Sequence, residues 1–426
     1  MSGPDGGRRV LLTGIGVVAP GGVGVKRFWD LLANGRTATR TITAFDPAPF
    51  RSHVAAECDF DPVASGLSQQ QIRKWDRTTQ FAVVATREAM ADSGISGEAE
   101  PHRTGVMLGT ACGMTASLDR EYAVVSDSGR NWLVDDRHGV PYLYDYFLPS
   151  SMAAEIAWLA EAEGPVGIVS TGCTSGIDVV GHATDLIADG EADVVIAGAS
   201  DAAISPITVA CFDAIKATTP RNDEPATASR PFDRTRNGFA LGEGAAVFVL
   251  EELEHARRRG ARAYAEIAGH AGRSNAHSMT GLRADGREMA EAITHAIGNA
   301  GLEPGDVDYV NAHGSATKQN DRHETAALKT SLGTHAYRTP VSSIKSMIGH
   351  SLGAICSLEV AACALAIDQS LIPPTANLHE PDPECDLDYV PLVAREQRVD
   401  VALSVASGFG GFQSAIVLTK PERARA

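Results

Sequence analysis

The chain has 426 residues, 44% hydrophobic and 21% charged, ordinary proportions for a globular protein with a sizeable core. It carries 37 basic against 53 acidic side chains, net −16, and such a body repels phosphate backbones, which argues against nucleic acid as a partner. Seven cysteines, an odd number with no CxxC pair, fit reduced thiols and argue against a disulfide framework or a zinc ribbon.

The first residues, MSGPDGGRRV, hold no apolar signal core. No stretch reads as the eighteen or more apolar residues of a membrane span, so the sequence suggests a cytoplasmic protein with no membrane role. Residues 10–13 (VLLT) read as a short strand. Residues 76–93 read as a helix with Asp76 as N-cap and Gly94 past its end. The stretch 114–150, with Trp132 and several tyrosines, reads as a loop-rich insertion. Strands at 166–170 and 194–197 enclose a helix at 174–189, closed by Gly190, a βαβ unit. A second series follows. It has strands at 245–250 and 264–268, a helix at 287–300, a strand at 307–311, helices at 321–332 and 353–368, and closing strands at 401–405 and 414–418. The changeover lies near residue 255, so the expectation is two packed halves, 1–255 and 256–426. The basic run 255–262 (HARRRGAR) reads as a solvated helix end.

Four segments carry candidate chemistry. In 164–176 (GPVGIVSTGCTSG) an apolar strand enters a glycine-bracketed turn, and Cys173 stands where the next helix begins. Glycines permit a strained turn that lifts the side chain out of the sheet. A helix N-terminus favours a thiolate, with cysteine pKa values of roughly 3.5–7.5 in such settings. The plainer reading is a small buried thiol. His313 in NAHGSAT and His350 in SSIKSMIGHSLG each sit in a Gly/Ser/Thr-rich loop at a strand end, where α/β folds gather their sites. A lone histidine there is more often structural, whereas His182, inside the helix after Cys173, reads as packing or surface. Ser407-Gly-Phe-Gly-Gly-Phe412 lets backbone N–H groups approach a ligand and supply an oxyanion donor, or is simply a tight turn.

Two motifs mislead. Gly14-Ile-Gly16-Val-Val-Ala19 resembles a dinucleotide fingerprint, but Pro20 follows where a helix should run, and no acidic residue ends a second strand about twenty residues on. Gly349-His-Ser351-Leu-Gly353 matches the serine-hydrolase pattern. The polar strand before it, interrupted by Lys345, argues against Ser351 as an acyl acceptor.

Together the Cys173 turn, HGSAT at 313–317, SSIKSMIGHSLGA at 342–354 and SGFGGF at 407–412 resemble the β-ketoacyl synthases of the thiolase superfamily. The resemblance runs from LLTGIGVVAP at 11–20 almost to the end. STGCTSG, ACFDAIKATTP at 210–220 and PPTANLHEPDPECDLDYVP at 373–391 are similar to the ketosynthase alpha subunit of bacterial type II aromatic polyketide synthases. The resemblance implies an α/β thiolase-like fold of two similar βαβαβαββ halves in five layers, α-β-α-β-α. It implies a dimer with a non-catalytic chain length factor, a homodimer being the alternative, and substrates delivered on the phosphopantetheine arm of acyl carrier protein, with no metal or redox cofactor.

The implied reaction is a decarboxylative Claisen condensation of malonyl-carrier protein with a chain held on Cys173, in polyketide or, alternatively, fatty-acid synthesis. His313 and His350 would donate to the malonyl thioester oxygen. The N–H groups of Cys173 and Ser407 would hold the oxyanion, with Phe409 in the same glycine-rich turn. Lys345 and Glu324 would form a supporting charged pair, Ser315 and Thr317 would contact pantetheine, and Phe212 would contact substrate. Arg73, Lys74 and Lys216 would receive the carrier protein. The chain departs from the pattern in two places. Ala316 stands where Gly or Ser is usual, and Ser407 stands where fatty-acid enzymes carry a bulky Phe gate, which suggests room for a longer chain. A Cys-His hydrolase, needing one histidine, is the rival from another enzyme class. The non-catalytic partner subunit is the structural rival, and Cys173 argues against it.

Overall fold

A computed structural model describes residues 7–131 and 134–421; Trp132 lies outside them. The first half contributes strands β1 (Val10–Ala19), β2 (Thr104–Gly109), β3 (Val166–Val169), β4 (Val194–Asp201) and β5 (Gly244–Glu252), with helices α1 (Arg77–Ser93), α2 (Ser150–Leu159) and α3 (Ser175–Ala188). The second contributes β6 (Ala265–Ser274), β7 (Tyr309–Asn311), β8 (Val341–Ser342), β9 (Val401–Gly408) and β10 (Phe412–Thr419), with α4 (Arg287–Asn299), α5 (Lys318–Leu332) and α6 (Ile355–Gln369). Each half reads βαβαβαββ.

The strand orders repeat. One sheet runs β1-β5-β4-β2-β3 and the other β6-β10-β9-β7-β8, joined through Leu11 opposite Glu266 and Leu12 opposite Ala265. Helices α1 and α2 cover the outer face of the first sheet, α3 and α6 lie between the sheets, and α4 packs on the outer face of the second with α5 beside it. This is the thiolase-like five-layered arrangement. The chain crosses between the halves from Glu252 to Ala265, through a short helix, Leu253–Arg258.

Helix α6 is apolar because it is wrapped on all sides: every residue from Ile355 to Ile367 is buried. By length and composition the segment Leu352–Gln369 could cross a membrane, contrary to the sequence expectation. It is 89% buried in the central layer, so its apolarity answers to the core.

Helix α1 begins and ends as its caps predict. Asp76 accepts the Thr78 N–H at 2.7 Å and Gly94 takes φ 65°. The stretch 114–150 is more ordered than expected, with helices at Thr115–Val125 and Leu143–Phe147. The first has no side-chain cap, so its start left no sequence signal. Strand β1 is ten residues long, not four. Its glycines look like a strand end but serve close approach: a Cβ on Gly16 would stand 1.8 Å from the Ala85 carbonyl oxygen, and one on Gly14 would stand 2.2 Å from that of Ala89. The false dinucleotide fingerprint is therefore the contact line of α1 on β1. Gly16→Ala should force these layers apart and destabilise the protein by about 2 kcal/mol or more, measurable by chemical denaturation.

Candidate active site

Strand β3 ends at Val169, and the chain turns through Gly172 at φ 61° into a 3₁₀ turn, Gly172–Thr174, that feeds α3. Ser175 Oγ accepts the Thr171 N–H at 3.0 Å and donates to the Gly172 carbonyl at 2.7 Å, which locks the turn. The β9 strand lies flush against it. A Cβ on Gly408 would be 3.0 Å from Thr171 O and 3.3 Å from Cys173 N. The Cys173 thiol is buried, and the Phe409 backbone N–H acts on it, pulling against the rise that burial causes. Phe409 therefore joins Ser407 as a candidate backbone donor. Strand pairing persists through Ser407 and Gly408, and Phe409 is the first residue beyond it.

Helix position alone suggested a thiolate, and the structure corrects this. Burial pushes the Cys173 thiol up to about 11, against the opposing pull of Lys345 and the Phe409 N–H. The resting group is a thiol.

His313 follows β7, and His350 lies in the loop before α6. Their ring centroids are 5.4 Å apart at 80°. Burial, and then the Lys345 charge, drive both well below the ordinary histidine range, so both are neutral near pH 7. His350 Nδ1 accepts the Leu352 N–H at 3.2 Å, which leaves its proton on Nε2 as a donor. The His313 and Gly314 N–H groups donate to Glu324 at 2.6 and 2.8 Å. That carboxyl is buried and pushed up to about 8.

The Lys345–Glu324 pair implied by the resemblance does not form. Lys345 Nζ is bonded to Glu359 of α6, both side chains being fully buried, while Glu324 is occupied by the backbone below His313. Glu359 was not among the expected site residues, yet a lone carboxylate inside the apolar run of α6 is a signal, because burial of an unpaired charge is costly. Neither was Asp201. This buried carboxylate accepts from Thr110 Oγ1 (2.6 Å), the Ala111 and Cys112 N–H groups (2.9 and 3.1 Å) and the Gly353 N–H (2.7 Å). Asp201 thus ties the loop after His350 to the end of β2.

Cys173, His313 and His350 share one cavity of about 240 Å³, with Ser315, Thr317 and Phe212 on its walls. Ser315 and Thr317 hydroxyls are 3.1 Å apart, and Ala316 between them is held in the left-handed region at φ 64°. Met279 to Leu282 form another wall that sequence reasoning missed; the Gly410 N–H donates to Met279 O at 2.8 Å. Ser407 lines the cavity, but so does the Phe409 ring, 6.2 Å from that of Phe212. The small residue at 407 therefore does not leave the wall without an aromatic. Ser351 is 1% exposed and off the cavity wall; Leu352 lines it instead, which counts against an acyl-accepting Ser351. Lys216 lines the cavity and is exposed. Arg73 and Lys74 end a separate short helix, Gln69–Lys74, off the cavity wall. Lys74 there is bonded to Glu155 and lies 5.5 Å over the Trp158 ring. Among the described residues no group of His, Cys, Asp or Glu is disposed to hold a metal ion.

A buried nucleophile pushed up in this way has a measurable signature. Alkylation at Cys173, followed by mass spectrometry of its peptide so that exposed Cys211 does not interfere, should climb steadily from pH 7 to 10. A thiolate-activated cysteine would level off below about pH 7.5.

The chain matches two family profiles, the beta-ketoacyl synthase N-terminal domain over residues 7–256 and the C-terminal domain over residues 264–379. A Streptomyces rimosus protein, provisionally named oxytetracycline polyketide beta-ketoacyl synthase 1, is 78% identical, covering 98% of both chains. The tetracenomycin polyketide synthase ketoacyl synthase alpha subunit of Streptomyces glaucescens is 67% identical at the same coverage. Among solved structures, a type II polyketide ketosynthase bound to a hexaketide and in complex with its acyl-carrier protein superposes with TM-score 0.92, at 36% identity over 98% of this chain and 100% of that one. The ishigamide ketosynthase/chain length factor gives 0.88, at 33% identity over 97% and 100%. With both domains matched in order and identity this high end to end, the chain belongs to the β-ketoacyl synthase family, among the ketosynthase alpha subunits of type II polyketide synthases.

Proposed function

We propose that Cys173 carries the growing polyketide chain and that His313 and His350 serve the decarboxylative condensation with malonyl-carrier protein. The observation that carries this reading is the shared cavity: one thiol, two neutral imidazoles, and a backbone N–H that acts on the thiol.

Cys173 rests as a thiol, so acylation requires its proton to leave as the sulfur attacks the incoming thioester; a neutral imidazole in the same cavity can take it. The carrier's pantetheine thiol departs and the chain stays on Cys173. Malonyl-carrier protein then enters. As its C–C bond breaks and CO₂ leaves, negative charge grows on the thioester oxygen. The Nε2–H of His350 and a ring N–H of His313 donate to that oxygen, and neutral donors hold an enolate without first being titrated. The enolate carbon attacks the Cys173 thioester, the N–H groups of Cys173 and Phe409 hold the oxyanion, and the sulfur leaves as a thiolate that takes a proton from water. The lengthened β-ketoacyl chain is now on the carrier. Lys345, held inside by Glu359, opposes protonation of both imidazoles. Glu324 fixes the backbone of His313, and Ser315, Thr317 and Phe212 line the path of the pantetheine arm and chain.

The halves 1–255 and 256–426 act as one catalytic unit in this reading. A partner subunit, a chain length factor or a second copy, would cover exposed aromatic side chains. Tyr144, Phe147 and Trp158 are 66–70% exposed, and β3 pairs only with β2 among the described strands. Carrier protein would approach the cavity mouth at Lys216, with Arg73 beside the route. Lys74 contributes less, because Glu155 already answers its charge.

Two experiments test these assignments. Cys173→Ala should lower condensation by at least about 1,000-fold with the fold intact. His313→Ala and His350→Ala should each slow CO₂ release by about 100- to 1,000-fold, read by mass spectrometry of products with and without the partner. An acyl adduct on another residue, or normal CO₂ release in both histidine variants, would refute the roles. Charge reversal at Arg73 and Lys216 should raise KM for carrier-linked substrate several-fold, spare pantetheine-thioester mimics, and matter less at high salt. Unchanged kinetics in that double variant would move the docking face elsewhere.

A further inference from the structure

Asp178 lies in the first turn of α3, five residues past Cys173, and three hydroxyls close on it. Its Oδ2 accepts from Thr171 Oγ1 and, at 2.7 Å, from Thr174 Oγ1, the residues on either side of the Gly172–Cys173 turn. Its Oδ1 accepts from Ser414 Oγ at 2.6 Å. Ser414 belongs to β10 and pairs with Ala406 of β9. The neighbouring Gln413 amide donates to Ser407 Oγ at 3.0 Å. One carboxylate thus links the turn that presents the thiol to the strand pair that leads into the Phe409 N–H.

An acidic side chain in a first helical turn is favoured by the helix dipole alone. That accounts for a carboxylate here but not for where its oxygens point. Both receive side-chain hydroxyls from outside the helix or from its cap, and Thr174 at the cap position makes no side-chain cap bond. The carboxylate therefore joins two chain segments that meet nowhere in sequence.

We propose that Asp178 is a positioning residue for the condensation, holding the Cys173 turn in register with the Phe409 N–H. This rests on the reading of those two groups as nucleophile and oxyanion donor. Asp178 touches neither substrate nor sulfur; it acts through Thr171, Thr174 and Ser414. Loss of the link lets the sulfur and the oxyanion donor drift apart, and displacement on the order of 1 Å costs about 100-fold in rate.

The test uses the full-length enzyme with its partner subunit, comparing Asp178→Ala with Asp178→Asn. Alanine removes every acceptor, whereas asparagine offers an acceptor oxygen and an NH2 group with two donor hydrogens, and a hydroxyl can reverse its role to match. Alanine should lower kcat for condensation about 10- to 100-fold while KM for carrier-linked substrate holds. Asparagine should recover to within about fivefold of the parent. CO₂ release from malonyl-carrier protein, which depends on the histidines, should stay within about threefold in both variants. Parent-like condensation in the alanine variant overturns the proposal. So does an equal fall in condensation and CO₂ release, or an asparagine variant as slow as alanine. If Asp178→Ala does not fold, Thr174→Val and Thr174→Ser carry the same comparison: valine should slow condensation alone and serine should restore it, and a valine variant at the parent rate overturns the proposal. Failure of the underlying reading looks different, since it would appear in the unmodified enzyme as an acyl adduct away from Cys173.

Discussion

The site depends on the close meeting of two helix N-termini in the central layer. A Cβ on Gly176 would lie 2.3 Å from the Ser357 backbone nitrogen, so only glycine lets α3 and α6 approach this closely. At the same junction Cys356 Sγ donates to the Cys173 carbonyl at 2.9 Å. Because α3 follows the cysteine turn and α6 follows the His350 loop, bringing the helix starts together brings the thiol of one half to the imidazole of the other. The repeated βαβαβαββ order makes this possible, since each half presents the corresponding loop at the corresponding place.

Burial then sets the electrostatics. In a buried site a helix N-terminus does not outweigh the desolvation of a thiolate, so Cys173 is a thiol. The same desolvation keeps both histidines neutral and therefore able to donate to a developing negative charge. Lys345 is the one cation that all three groups feel, and it is tolerated inside because Glu359 is bonded to it. Three carboxylates organise the surrounding backbone and side chains: Glu324 under His313, Asp201 behind the His350 loop, and Asp178 beside the cysteine turn. Each is placed by a different element, and each satisfies donors that would otherwise be stranded in the interior.

Much of this was legible before any coordinates. The apolar strand running into a glycine-bracketed cysteine is a local pattern, as are the histidines in short glycine- and hydroxyl-rich loops and the Asp76 and Gly94 caps of α1. Local patterns survive folding because the backbone needs them whatever lies nearby. Errors arose where a residue's meaning depended on a distant neighbour. Gly14 and Gly16 looked like the end of a strand because α1, which they accommodate, lies some seventy residues away. Phe409 was expected only as a supporting residue because sequence does not tell where strand pairing stops. Lys345 was matched with the wrong carboxylate because two buried acids lie within reach and only three-dimensional placement chooses between them.

The sequence by itself determined the alternating α/β class, the two-part organisation and three of the side chains that meet in the cavity: Cys173, His313 and His350. These follow from hydrophobic period, turn chemistry and residue type, all of which are written within short windows of chain. Tertiary structure alone decided the protonation state of Cys173, the partner of Lys345, the action of the Phe409 N–H on the thiol and the convergence of three hydroxyls on Asp178. Those properties are set by desolvation and by distances between elements that meet only in the folded chain. Neither quantity exists until the two sheets close over the central helices.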